Sequence, residues 1–315
     1  MKALNYKIKI LLTFFILAGT GLYAQEIKKE LHEEFNTNKS SVLIIDSKFC
    51  DLTINNWDKD QAVFDVIIKV EHSDEAKAKK ILDNINVKFE QDGNDLHVET
   101  ILNDNLSKID IGNKKKFSII IVANVPSYIN LDLETKFGNT KIGEFSGDLE
   151  LDMSFGSMEI EQLIGSDISV QVNYGDLSVG NIADADIEMN FGTMHIHEAG
   201  NLDVELNQGE LIIGTVNNLS AEVNMGSCEV EVISPSFETI EIEVNAGTVV
   251  LGIDKNAGFS IEAEMKMGDL NIPKEFGSMV KSSHGLNTSL EGKYGNGKSK
   301  ISLEGNLGNI ELKLK

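Results

Sequence analysis

One ten-residue pattern recurs nine times between residues 133 and 312: apolar, acid, apolar, Asn, aromatic or Met, Gly, polar, apolar, any, apolar. It is clearest at 151–160 and returns at 170–179, 187–196, 204–213, 221–230 and 242–251, with weaker copies starting at Leu133, Ala263 and Leu303. Its glycines stand at 138, 156, 175, 192, 209, 226, 247, 268 and 308. They are spaced 17 to 21 residues apart, except for a last interval of 40 that would hold two units with one degraded. A unit this short cannot bury its own apolar face and must stack on neighbours. The sequence therefore predicts a mainly β chain: a right-handed parallel β-solenoid of about nine to ten rungs, each 17–21 residues long, with a short α+β section before it.

Strand alternation assigns faces to the pattern. Counted from Gly, positions −5, −3, −1, +2 and +4 are apolar and are expected inside. The −1 column begins Phe137, Phe155, Tyr174, Phe191 and tapers to Met225 and Ala246; it is expected as an aromatic ladder within the core.

Residues 1–24 read as a secretory signal: Lys2, Lys7 and Lys9, then an apolar run at 10–17, then Leu22-Tyr23-Ala24 before Gln25. No later segment is apolar for long enough to span a membrane as a helix. Residues 25–40 are polar and expected to be a flexible lead-in. Residues 41–125 form an α+β section continuous with the solenoid, and 126–315 the repeats, with Pro126 at the junction. Within 41–125, strand-like runs fall at 42–46, 52–55, 62–70, 87–90, 96–101 and 117–122, and a helix of about three turns is expected after a Ser73 cap. Residues 103–116 read as a loop ending in three lysines. Cys50 stands where the repeat has Gly, and Cys228 at an inward position; both are expected as buried thiols rather than a disulfide.

Charge narrows the partners. The chain has no arginine, and none of its 28 lysines lies between residues 142 and 254. That stretch holds 22 acids, while 28 acids face 28 lysines elsewhere, so the whole net charge of −22 sits on the middle of the solenoid. A nucleic-acid partner is excluded on this account, and anionic membranes are disfavoured.

The acids fall in outward columns. Position −4 carries Glu134, Asp152, Gln171, Glu188, Glu205, Glu222, Glu243, Glu264 and Glu304, and position −2 carries Asn173, Asn190, Asn207, Asn224 and Asn245. Rungs about 4.8 Å apart stack these groups in register, and like charges at that spacing repel by about 0.9 kcal/mol per pair in water. Three readings fit such columns: solubility and protection against sheet pairing, docking of a basic partner, and weak Ca²⁺ binding through Glu188, Glu205, Glu222 and Glu243. The asparagines also suit rung-to-rung amide ladders. His195 and His197 point outward together beside Glu198, and read as surface histidines because neighbouring rungs supply no further ligands.

No nucleophile elbow, phosphate loop or metalloprotease motif is present, and no catalytic residue or resident cofactor is expected. The run from Ile44 to Asp58, with its strand, turn and closing Trp57-Asp58, resembles the opening of a bacterial putative-adhesin β-strand-repeat family. The ending through Gly297, Lys298, Leu303, Gly308 and Leu312 is similar to it as well. That resemblance implies a β-solenoid exported to the cell envelope, in the periplasm or at the surface. It implies a non-enzymatic adhesin or surface-interaction protein whose partner is an envelope protein or surface ligand. A periplasmic accessory of envelope-stress sensing and a carbohydrate-active β-helix enzyme are the alternatives.

Overall fold

The structure is a computed structural model describing residues 25–103, 117–276 and 279–315. The signal-like segment and the loop with its three lysines lie outside the described residues.

The chain opens with β1 (Gln25–Asn36), β2 (Val42–Lys48), β3 (Cys50–Trp57) and β4 (Gln61–His72). Helix α1 (Glu75–Leu82), β5 (Ile85–Asp92), β6 (Asp95–Leu102) and β7 (Phe117–Pro126) follow. Strands β2 and β3 are the two sides of one rung, bent at Phe49 and Cys50, and both pair in parallel with the next rung, β8 (Asn130–Phe145). The sheet continues beyond that first rung in two branches. On one side β7, β4 and β1 extend from β3; on the other, β6 and β5 extend from β2. Ala78, Ile81 and Leu82 of α1 are buried, and the helix packs on β4 and β1.

Two expectations need correction here. The lead-in is not flexible: β1 pairs antiparallel with β4 from Gln25↔His72 to Asn36↔Gln61, with Ile27, Leu31 and Phe35 packed against the core. A polar composition hid a strand whose apolar residues recur only at every fourth position. The helix is also shorter than expected and is capped by Asp74, whose carboxylate accepts from the Lys77 amide at 3.1 Å. Ser73 thus lies one residue outside the cap.

From β8 the chain climbs through β9 (Leu149–Leu163), the multi-rung run β10 (Ile168–Ile233) and β11 (Thr239–Ile253). All are parallel with glycine on glycine, the register shifting only beside Lys136 in the β8–β9 pair and between Val230 and Ile233 in the β10–β11 pair. Columns −5, −3, +2 and +4 are buried as expected; Leu151, Met153, Met158 and Ile160 show the pattern. Cys50 and Cys228 are both buried thiols.

The 40-residue interval does not hold a degraded rung. β12 (Phe259–Asn271) is followed by a short 3-10 turn (Lys274–Phe276) and the hairpin β13 (Val280–His284) and β14 (Asn287–Tyr294), which folds back antiparallel on β12. The last segment, β15 (Ser299–Leu314), then enters the stack between β11 and β12, parallel to both. Gly308 lies in register with Gly247 on one side and Gly268 on the other. The order in space is therefore 226, 247, 308, 268, and the hairpin covers the end.

Candidate functional site

The glycine column creates an edge. Gly156, Gly175, Gly192, Gly209, Gly226, Gly268 and Gly308 have φ between +133° and +152°. A Cβ at Gly175 would sit 2.1 Å from the Gly156 carbonyl oxygen. Only glycine allows both this backbone and this approach. Beneath the bend the −3 side chains are buried, Met153, Val172, Met189 and Leu206 among them, and the turn at glycine breaks the strand alternation before it reaches position −1.

The −1 column is consequently outside, and its assignment to the core is corrected. Phe49, Phe137, Phe155, Tyr174 and Phe191 are 38–46 % exposed. Their rings stack almost parallel along the solenoid, with centroids 4.8, 4.8, 5.0 and 4.7 Å apart and interplanar angles of 7° or less. Phe117 packs edge-on against Phe49 at 6.3 Å. Beyond Gln208 the stripe continues as exposed Met225, Leu307 and Met267. Ring faces are covered by neighbouring rings, so the ridge presents ring edges to solvent.

The first two rungs build the same edge differently. Phe49 and Phe137 themselves adopt φ of +55° and +59°. With the left-handed residue moved to position −1, Cys50 can occupy the glycine site without strain.

On one flank lies an amide ladder. Asn173 donates to Asp152 Oδ1 at 3.3 Å, and Asn190, Asn207, Asn224, Asn245 and Asn306 each donate to the amide oxygen before them at 2.7–3.1 Å. The Lys266 ammonium donates to Asn306 at the far end. Six amides are thus aligned between an ammonium and a carboxylate, every dipole pointing the same way. Outside the ladder run the acidic columns. On the other flank is a shallow, open depression of about 260 Å³ lined by Ser157, Glu159, Asp176, Ser178, His195 and Lys141 among others. Lys141 bridges to Glu159 at 2.5 Å, and this hydrogen bond holds the ammonium pKa above its ordinary value.

The sequence-predicted residues divide as follows. Glu188 and Glu205 accept hydrogen bonds from the ladder residues Asn190 and Asn207, each at 3.2 Å. Glu222 and Glu243 face each other in register. The four thus form a line along the rungs, and no group of three His, Cys, Asp or Glu suited to a metal occurs among the described residues. His195 and His197 are both exposed, His195 on the rim of the depression. Ser157 donates its hydroxyl to Asn139 Oδ1 at 2.6 Å, to an amide rather than to a base. Burial pushes the Cys228 thiol up to about 12, the behaviour of a packing residue.

The aromatic edge is the surface feature that strand alternation missed. One signal for it was present in the sequence. Gln208 occupies the same column, and an amide in an apolar interior would need partners that the other inward columns do not offer.

With this architecture in view, the chain belongs to the Toastrack DUF4097 family, whose pattern matches residues 34–313. Solved structures with related chain traces include a putative adhesin from Parabacteroides distasonis (14 % identity, 89 % of this chain and 97 % of that one, TM-score 0.40). Others are a putative adhesin from Bacteroides fragilis (11 %, 90 % and 97 %, 0.33) and a putative cell adhesion protein from Clostridium sporogenes (16 %, 92 % and 100 %, 0.21). No curated relative matches the chain. No helix among the described residues is long and apolar enough to cross a membrane.

Proposed function

We propose that this chain is an exported, non-enzymatic envelope protein that engages a surface ligand or envelope partner along its glycine edge. The observation that carries the reading is the exposed ladder of Phe49, Phe137, Phe155, Tyr174 and Phe191, five rings that the core does not need. A contiguous apolar stripe with polar flanks is the usual mark of an interaction surface. Export rests on the signal-like first 24 residues.

The enzyme alternative has less support. The depression beside the ridge is open, whereas catalytic pockets enclose their substrates, and its Ser157 is bonded to Asn139.

The test uses the labelled full chain as exported, with washed envelopes of the source bacterium. Saturable binding is expected. It should fall at least tenfold when Phe155, Tyr174 and Phe191 are each replaced by Gln, the residue the same column carries at 208. Unchanged binding by a folded triple variant would refute the ridge as the contact.

A further inference from the structure

Resting on that reading, we infer that the ridge is built to take a basic amphipathic helix laid along the solenoid axis. Three observations converge on this occupant.

The first is spacing. The rings repeat every 4.7–5.0 Å over four intervals. An α-helix repeats its apolar stripe every turn, about 5.4 Å, so a helix of about 13 residues (~19.5 Å) spans the ladder and slips by about 0.6 Å per ring, a little over 2 Å by the last, against about 2 Å per ring for a strand. A β-strand laid along the same line brings a side chain to one face only about every 6.8 Å and falls out of step after two rungs.

The second is ring orientation. Because both faces of Phe137, Phe155 and Tyr174 are taken by neighbouring rings, flat stacking against a sugar or a base is blocked along the middle of the ladder. What remains is a row of hydrocarbon edges, suited to aliphatic side chains such as Leu, Ile or Val.

The third is charge. Three of the five rings, at Phe155, Tyr174 and Phe191, lie within the stretch 142–254 that has 22 acids and no lysine. Asp152, Glu188 and Glu205 stand beyond the amide ladder on one flank; on the other stand Asp176 and, at the same repeat position, Glu210, while Glu159 is already paired with Lys141. A helix whose apolar stripe is bordered on both sides by Lys or Arg meets acids on both flanks. A second copy of this chain would bring acid against acid, which disfavours self-pairing through the ridge.

The experiment titrates the full exported chain into a dye-labelled 18-residue Leu/Lys helix. Controls are a same-composition peptide scrambled to break the stripe and a Leu/Glu helix. Binding of the Leu/Lys helix at least tenfold tighter than either control is expected. It should fall tenfold or more in the Phe155→Gln/Tyr174→Gln/Phe191→Gln chain, and also in the Asp152→Asn/Glu188→Gln/Glu205→Gln chain. Circular dichroism and thermal melts establish that both variants fold; should the triple ring variant melt early, Tyr174→Gln alone serves, with a proportionate loss.

Equal binding of the scrambled peptide would reduce the effect to diffuse charge attraction and overturn the proposal. So would undiminished binding by the ring variants. A dimer in light scattering that the ring substitutions dissociate would show a second copy on the ridge instead. If ring variants lose envelope binding while no helix binds, the functional reading stands and the helical occupant falls.

Discussion

Asn306 donates its side-chain amide to Asn245 Oδ1 at 2.7 Å, although 61 residues separate them. The amide ladder thus runs unbroken through a rung that arrives last in the sequence and enters between two earlier ones. Without β15, the facing edges of β11 and β12 lose their partners from Thr239 to Ile253 and from Phe259 to Asn271.

Deleting residues 299–315 should therefore do far more than trim an end. The cut opens the stack, exposes two strand edges and strands the Asn245 amide oxygen. The melting temperature should fall by more than 10 °C, on the order expected for losing a buried rung. A synthetic peptide of residues 299–315, added in excess, should restore most of the loss. A truncated chain that melts like the parent would show that the inserted rung does not hold the stack together.

Removing one rung of the ladder tests how far the amides act together. Asn207 donates to Asn190 and to Glu205 and accepts from Asn224. Asn207→Ala leaves a half-buried acceptor on one side and a donor on the other, and should cost about 1–3 kcal/mol in urea unfolding. Asn306→Ala, near the Lys266 end, should cost less if the aligned dipoles reinforce one another toward the middle. Equal costs would argue for independent bonds.

The glycine column can be separated from ordinary turn glycines. Gly175 has φ +146° with the Gly156 carbonyl oxygen 2.1 Å from a Cβ, while Gly93 has φ +63° and open space. Gly93→Ala should cost about 1–2 kcal/mol from the left-handed backbone alone. Gly175→Ala adds a backbone clash that no side chain can relieve, and should cost at least twice as much or prevent folding. Chemical denaturation of the two variants side by side decides it.

Much of this molecule was legible because a solenoid writes its core repeatedly. Columns −5, −3, +2 and +4 could be read from any rung, and Cys50 could be matched to glycine from the residues around it, Phe49 before and Asp51-Leu52-Thr53-Ile54 after. What failed has local causes. Alternation was extended one residue too far, to −1, because it does not foresee that the bend at glycine turns the preceding side chain outward. The order of the last rungs was illegible, since Gly268 and Gly308 carry the same signature whichever stacks on Gly247. The lead-in was missed because Ile27, Leu31 and Phe35 are spaced like a helix stripe yet sit on a strand, where the tertiary pairing with β4 decides.

The edge strand β1 carries a pH-sensitive contact. His32 Nδ1 lies 2.7 Å from Asp65 on β4 and Nε2 lies 3.1 Å from Glu34. The Asp65 hydrogen bond first and the Glu34 one second raise the His32 pKa above 6.5. Since the folded value is the higher, this stabilisation is full below the unfolded pKa and is lost as pH rises through the folded one. All three side chains are more than half exposed, so the contribution is small. An NMR titration should place the His32 midpoint above 6.5. Asp65→Asn should lower it more than Glu34→Gln does; the reverse order would reassign the main contact.

The carboxylate columns remain to be weighed as cation sites. Glu222 and Glu243 stack in register, and Glu304 then follows between Glu243 and Glu264. Each neighbouring pair repels by up to about 0.9 kcal/mol before screening. Any cation that screens them should stabilise the fold, whereas a true Ca²⁺ site also needs several oxygen ligands converging on one point. Glu188 and Glu205 already accept amide hydrogens, and the column spreads its oxygens along a line. The expected result is that millimolar Ca²⁺ and Mg²⁺ raise the melting temperature of an EDTA-treated sample equally, by a few degrees at most for about 1 kcal/mol, and that 0.5 M NaCl reproduces the gain. A rise specific to Ca²⁺, abolished by Glu222→Gln/Glu243→Gln, would instead make the columns ion sites, because a ligand bound only by the folded chain must stabilise it.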